Sequence, residues 1–368
     1  MTPRRGVHAE ITGTGRYLPG PPIDSAALEA AMPDLPIALF ERYFGVKKRH
    51  YVIDLATGDR RPSPNSDGGG APLGTTEMAV CAARRALERA KLAPSDIDLV
   101  ITNSTTPDSM LPPLALLVQQ RLGIGDAQLL DLRGGCSAAI QAANVASMLI
   151  EGGHARAALV VSAECTSPFY LRRLLEKREH AFDDVINGLL FADGAGAIAM
   201  QARTAGASGG EPGIGIACSA TRSCFSTSRA GFALTGAIGA GGIETRHDHR
   251  AIRKTLPRVV ERAFAHLRDL SGREIADYDV MIIPQVNRSM IEIVAGEGAD
   301  LADLGFCYYG DETGNVPAAA MFMALDMARE RGRIGPGDHI GVVSIETTSW
   351  NYAIAALQDS RMEGPVCA

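Results

Sequence analysis

Apolar and polar positions follow two different periods along this chain, and the switches between them mark its elements. Ala9 to Tyr17 alternates with period two and stops at Leu18-Pro19-Gly20-Pro21-Pro22, which predicts a first strand closed by a proline-rich turn. Glu77 to Lys91 repeats its apolar residues at helical spacing, and Ser95-Asp96-Ile97-Asp98 leads from that amphipathic helix into a short apolar strand, Leu99 to Thr102. A proline-bearing loop, Thr106 to Pro113, and a helix, Leu114 to Leu122, come next. Leu129 to Leu132 reads as a strand, Ser137 to Glu151 as a long helix rich in Ala, Ile, Val and Met, and the run to Ala163 as a further apolar strand. Thr57 to Gly74 and Thr204 to Gly215 are rich in Gly, Ser, Pro and Asp and read as surface loops. Strands alternating with helices predict an α/β architecture.

The order of elements then recurs about 180 residues on, a period suited to a duplicated domain rather than a solenoid. Asp96-Ile-Asp-Leu-Val-Ile returns as Asp277-Tyr-Asp-Val-Met-Ile, each copy following an amphipathic helix. Cys136-Ser-Ala-Ala, which opens a helix, returns as Asn315-Val-Pro-Ala-Ala-Ala. Val161-Ser162-Ala-Glu164-Cys-Thr166-Ser167 returns as Val343-Ser344-Ile-Glu346-Thr-Thr348-Ser349. Three matches in register predict two similar α/β halves, residues 1–203 and 204–368. Chemistry in such sheets gathers where strands end and helices begin, so Cys136 and Asn315 are expected in one cleft.

Composition narrows the partners. A chain of 368 residues, 46% hydrophobic and 21% charged, is ordinary for a globular protein, and its net charge of −6 disfavours nucleic acid. No apolar run approaches the ~18 residues of a membrane span, and the N-terminus lacks a signal-peptide core, so a cytoplasmic location is expected. The seven cysteines form no CxxC pair, which predicts free thiols and neither a disulfide framework nor a metal site.

Cys136 is the first candidate for chemistry. A cysteine at a helix start meets free N–H groups and the positive end of the helix dipole, which lower a thiol pKa and raise its reactivity. Gly134 and Gly135 let backbone N–H groups approach the same point, as an oxyanion hole requires. The competing reading is a small buried core residue. Asp193-Gly194-Ala195-Gly196 precedes a strand rather than a helix and reads as a tight structural turn. His247 and His249 read as exposed polar surface, and Glu164 as a structural hydrogen-bonding residue.

Taken together, Phe44-Gly45-Val46 with its following basic residues, Asp131 to Ala138, Phe191 to Gly196, Asp277 to Asn287 and Gly314-Asn315 resemble the thiolase-fold condensing enzymes, and within them β-ketoacyl-ACP synthase III. The resemblance implies a thiolase-like fold of two pseudo-symmetric α/β halves in five layers, α-β-α-β-α. It implies acyl transfer through an acyl-Cys136 thioester with Asn315 as hydrogen-bond donor, acyl-ACP or acyl-CoA as substrates, and no separate cofactor. It also implies a homodimer in which Leu111, in the loop Ser109-Met110-Leu111-Pro112, closes the partner's acyl tunnel, and it puts His249 near the position of a pantetheine-facing asparagine. Three departures stand out. The family's catalytic histidine position holds Pro284, which has no side-chain proton to give or take. The glycine-rich loop before the late tryptophan reads Ser344 to Trp350 and brings in a carboxylate, Glu346, as a candidate base. The residues that grip CoA align near Leu39, Tyr43 and Val185, which weakens the case for CoA held in the usual way. The expectation is an acyltransferase of polyketide or fatty-acid-related metabolism; the other class is a non-catalytic partner subunit of a heteromeric ketosynthase.

Overall fold

Two runs of five strands carry the fold. The computed structural model describes residues 6–64, 72–176, 179–204, 213–224, 230–235, 244–287, 291–292 and 305–359. In chain order the strands are β1 (Val7–Tyr17), β2 (Ile23–Asp24), β3 (Lys48–Arg49), β4 (Leu99–Asn103), β5 (Gln128–Leu132), β6 (Ala157–Glu164) and β7 (Gly194–Thr204). They continue as β8 (Ile214–Ser223), β9 (Phe232–Thr235), β10 (Glu244–His247), β11 (Val280–Ile282), β12 (Phe306–Cys307), β13 (His339–Glu346) and β14 (Asn351–Asp359). The first run is ordered β1-β7-β6-β4-β5 and the second β8-β14-β13-β11-β12. In both, the first three strands pair antiparallel and the last three parallel. The duplication read from three sequence matches is therefore a duplication of topology. A two-residue contact, Glu10 to Gly215 and Ile11 to Ile214, joins the halves edge to edge.

Helices complete five layers. Thr75–Ala90 covers the outer face of the first sheet, and His249–Ser271 the outer face of the second. Ala138–Glu151 and Ala320–Glu330 lie between the sheets, and each touches strands of both halves. Because helices cover both faces, every residue of β6 is buried, and all of β13 except His339. That is why these strands read as continuous apolar runs rather than alternating ones.

The amphipathic helix begins at Thr75, earlier than its apolar periodicity suggests, because the Asp108 carboxylate accepts from the free Thr75 and Thr76 amides at 3.0 and 2.7 Å. Against β1 the same helix comes so close that a Cβ at Gly15 would lie 2.3 Å from the Ala82 carbonyl oxygen. Gly15→Ala is accordingly expected to lower the unfolding free energy by about 2–3 kcal/mol. A denaturant midpoint that does not move would show that the helix backs away without cost.

Candidate active site

The first half delivers Cys136 on the turn between β5 and the central helix Ala138–Glu151. Gly134 N–H donates to Asn103 Oδ1 at 3.3 Å, and Ala138 N–H closes the turn on the Gly135 carbonyl at 3.1 Å. Ser137 occupies the cap position, but its hydroxyl does not cap the helix. It donates instead to Glu346 Oε2 at 2.7 Å, across to the end of β13 in the other half. Ser344, on the same strand, donates to the Cys136 carbonyl oxygen at 2.7 Å. The cysteine turn is thus held by the second half rather than by its own.

Glycine at 135 has a specific reason. A Cβ there would sit 3.3 Å from Glu346 Cδ, so the bare backbone leaves room for the carboxylate to lie along the turn. Glu346 is buried, and its Oε1 accepts from the hydroxyls of Thr348 and Ser349. The repeat partner, Glu164 at the end of β6, mirrors this. Its carboxylate accepts from the Thr105 amide at 2.8 Å, the Thr106 hydroxyl at 2.6 Å and the backbone of Ala318, at the entrance to the second central helix. Each half's strand-end glutamate therefore bonds to the other half's helix start.

These two carboxylates overturn one expectation. Burial pushes the Cys136 thiol up to about 12, and the charges of Glu346 and then Glu164 push the same way. The helix start does not produce a thiolate here, because desolvation and two nearby negative groups outweigh a partial positive charge. Burial likewise raises Glu164 to about 7 against its hydrogen bonds.

Asn315 is set by the backbone on both sides: its N–H donates to Leu190 O at 3.0 Å and its carbonyl accepts from Ala192 N–H at 2.9 Å. Gly314 before it has φ 70°, and a Cβ there would meet Ala192 Cβ at 2.7 Å. The Asn315 side chain is buried, and its amide oxygen has no hydrogen-bond partner among the described residues. That oxygen can take a hydrogen-bond donor and cannot itself donate. Pro284 is buried, and the neighbouring Gln285 pins the segment by donating to Ile283 O and Cys307 O and accepting from Tyr309 N–H.

The remaining candidates sit further out. Leu111 is 82% exposed on its loop. His249 opens the outer helix of the second half, and its Nε2 lies 3.2 Å from Asp183 Oδ1. His247 was read as exposed surface, and the structure corrects this: the ring is partly buried, stacked on His249 with centroids 5.3 Å apart, and 2.6 Å from Asn187 Oδ1 through Nε2. Burial pushes it down to about 4. Asp193 is buried and accepts from the amides of Val52, Thr166 and Ser167, which makes it a structural knot. No described helix is long and apolar enough to cross a membrane, and no cluster of three or more potential metal ligands occurs among the described residues.

Comparison with known proteins places this geometry. Residues 130–219 match 3-oxoacyl-[acyl-carrier-protein (ACP)] synthase III, and residues 269–355 match the C-terminal part of the same family. Over 337 residues the chain is 31% identical to a β-ketoacyl-[acyl-carrier-protein] synthase III of Rhizorhabdus wittichii, which covers 90% of this chain and 93% of that protein. With its thiolase-like fold, the chain belongs to the β-ketoacyl-ACP synthase III family of condensing enzymes. Among solved structures it is similar to AbyA1, a tetronic acid condensing enzyme, at 26% identity and a TM-score of 0.79, covering 95% of this chain and 99% of that one. The synthase III of Aquifex aeolicus VF5 shares the fold at 24% identity and a TM-score of 0.73, with the same coverage.

The raised thiol gives a test by titration. Alkylation of Cys136 by iodoacetamide is expected to rise about tenfold per pH unit from pH 7 to 10 without a plateau. Glu346→Gln removes a negative neighbour, lowers the thiol pKa and should speed alkylation at pH 8 by roughly tenfold. A plateau near pH 8 in the wild type would contradict the electrostatics.

Proposed function

We propose that this chain is an acyltransferase in which Cys136 takes an acyl group from a thioester and passes it to an oxygen or nitrogen acceptor. Asn315 holds the reacting carbonyl oxygen, and Glu346 receives the proton of the attacking group. The observation that carries this reading is the crossed geometry: the cysteine turn rests on Glu346 and Ser344, and Asn315 stands at the equivalent helix start of the other half. Pro284 argues against ordinary malonyl condensation. That reaction develops charge on a thioester oxygen, and loss of one preorganised donor costs about 3–4 kcal/mol, or ~10²–10³ in rate. Transfer to a hydroxyl or amine needs a proton acceptor more than a second donor, and a buried carboxylate against the cysteine turn is such a group.

In the first step Cys136 Sγ attacks the thioester carbonyl, the donor's C–S bond breaks, and the thiol proton passes to the departing carrier thiolate. A thiol near 12 carries its proton at neutral pH, so attack and proton loss are concerted. In the second step the acceptor attacks the acyl carbon, the bond to Cys136 breaks, and the acceptor's proton returns through Glu346 to the sulfur.

The donor we assign is a carrier-protein thioester. The outer helix His249–Ser271 exposes Arg250, Arg253, Lys254 and Arg258 along one side, a surface suited to an acidic carrier domain. Neither a metal nor a cofactor enters this chemistry, and the cytoplasm is where such thioesters and reduced thiols coexist. A role in specialised, polyketide or fatty-acid-related metabolism accords with the likeness to a tetronic acid condensing enzyme. The dimer we propose continues the first sheet across a two-fold axis at β5. Its outer edge has no strand partner among the described residues, Leu130 is exposed on it, and Met110 and Leu111 project nearby. A second reading, a non-catalytic partner subunit of a heteromeric ketosynthase, is favoured by Pro284 alone.

Intact-protein mass spectrometry after incubation with acyl-CoA and acyl-ACP separates the two. One acyl group that is absent in Cys136→Ala supports the enzyme, and no adduct with any donor supports the partner subunit. Glu346→Gln is expected to form the adduct yet turn over about 10²-fold more slowly. Light scattering should give a dimer, and Leu111→Trp should shorten the longest acyl chain accepted. A monomer would remove the proposed role of Leu111.

A further inference from the structure

The basic run Lys47-Lys48-Arg49 divides at its last residue: both lysines are exposed, and Arg49 is 0% exposed. A guanidinium is not deprotonated in proteins, so Arg49 is a cation held inside the molecule. Its two terminal nitrogens are buried without a hydrogen-bond partner among the described residues. Two features of the fold receive the charge. Its Nε–H donates to Leu189 O at 2.8 Å, in the last turn of the helix Phe182–Leu190, where the helix dipole is negative. Its Cζ lies 5.8 Å from the centre of the Phe40 ring. The same helix end also receives the Tyr51 hydroxyl, which donates to Gly188 O at 3.0 Å.

The turn held in this way is the one that sets Asn315. Leu190 O accepts the Asn315 N–H at 3.0 Å, Ala192 N–H donates to Asn315 O at 2.9 Å, and Phe191 between them forms the strand bridge with Asn315. From the other side the arginine stem packs on the residue before Asn315, since a Cβ at Gly314 would lie 3.2 Å from Arg49 Cγ. One side chain therefore touches both segments of the bridge, at Leu189 ahead of Phe191 and at Gly314 ahead of Asn315. The Leu189 and Leu190 carbonyls belong to successive peptides, so a rotation of the first displaces the second. Because the terminal nitrogens bond to nothing, the Nε–H is the one hydrogen bond by which Arg49 acts on this bridge.

We propose that Arg49 is the positioning residue for Asn315: its Nε–H fixes the Leu189 carbonyl, and through Leu190 and Ala192 it fixes the direction in which the Asn315 side chain meets the thioester carbonyl. The proposal rests on the acyl-Cys136 reading above and adds the residue on which the Asn315 contact depends. Arg49 touches no substrate and moves no proton. Its part is geometric, and a misplacement of about 1 Å at a group that orients a reacting carbonyl costs up to ~10² in rate.

Two variants of matching stem length separate the hydrogen bond from the charge. Arg49→Gln puts an amide N–H where the Nε–H stands and removes the cation, whereas Arg49→Met fills the same space and has no donor. The rate of Cys136 acylation by an acyl-ACP thioester should fall about tenfold in Arg49→Met and less than about twofold in Arg49→Gln. In an Asn315→Ala background, Arg49→Met should cost nothing further, because two residues that act through one contact are not additive. An equal loss in the two Arg49 variants would overturn the proposal, as would losses from Arg49→Met and Asn315→Ala that multiply, which is the behaviour of a side chain that only supports the fold. Nitrogen-15 NMR of asparagine-labelled protein gives a readout that does not need acylation. The Asn315 side-chain amide, identified by its absence from Asn315→Ala, should shift in Arg49→Met and keep its place in Arg49→Gln. A signal that stays in place in Arg49→Met would also overturn the proposal. If Arg49→Met does not fold, Arg49→Gln decides alone: an unmoved amide and near-normal acylation support the proposal, and a moved amide or a tenfold loss overturns it. Failure of the wild type to acylate, with the amide responding as stated, would count against the acyl-Cys136 reading and not against Arg49.

Discussion

The site depends on a crossed pair of carboxylate contacts. Glu346, at the end of β13, receives the Ser137 hydroxyl at the start of the first central helix. Glu164, at the end of β6, bonds to the backbone of Ala318 at the start of the second. Each half thus places a carboxyl group on the other half's helix start, where free backbone N–H groups can receive it. The two central helices and the two sheets cannot slide past one another without breaking these bonds. The geometry around Cys136 and Asn315 is in this sense a property of the interface between the halves.

The same contacts set the electrochemistry. Burial holds the Cys136 thiol in its neutral form, and the two glutamates strengthen that preference. A thiol held neutral in this way is a weak nucleophile toward oxidants and alkylating agents. Gly135 makes the contact possible in space, since a side chain there would displace Glu346 from the turn.

A different set of forces holds the aromatic side chains of both halves together. The rings of Phe191, Phe232, His247 and His249 form a connected series with centroids 4.8–5.7 Å apart. Aromatic contacts of this kind hold direction as well as position. They keep the imidazole of His247 in one orientation while leaving His249 partly open to solvent and paired with Asp183. Phe191 of the first half and Phe232, His247 and His249 of the second are thereby packed as one series.

The sequence by itself determined the duplication, the α/β class, the helix start that carries Cys136 and the equivalence of Asn315 and Glu346 with their partners in the first half. Those features are local or periodic, so residue order is enough to express them. Membership of the condensing-enzyme family was legible for the same reason, because its motifs are short runs such as Gly134-Gly135-Cys136 and Gly314-Asn315. What only the tertiary structure decided are the quantities that need neighbours from distant parts of the chain. The thiol expected to ionise easily is instead pushed up, first by burial and then by Glu346, 210 positions later in the sequence, which lies against its turn. His247, read as surface, is ordered by Asn187 and Phe232, neither of which its own segment announces. Burial and electrostatic coupling arise from packing between segments, and a linear pattern carries no record of which segments meet.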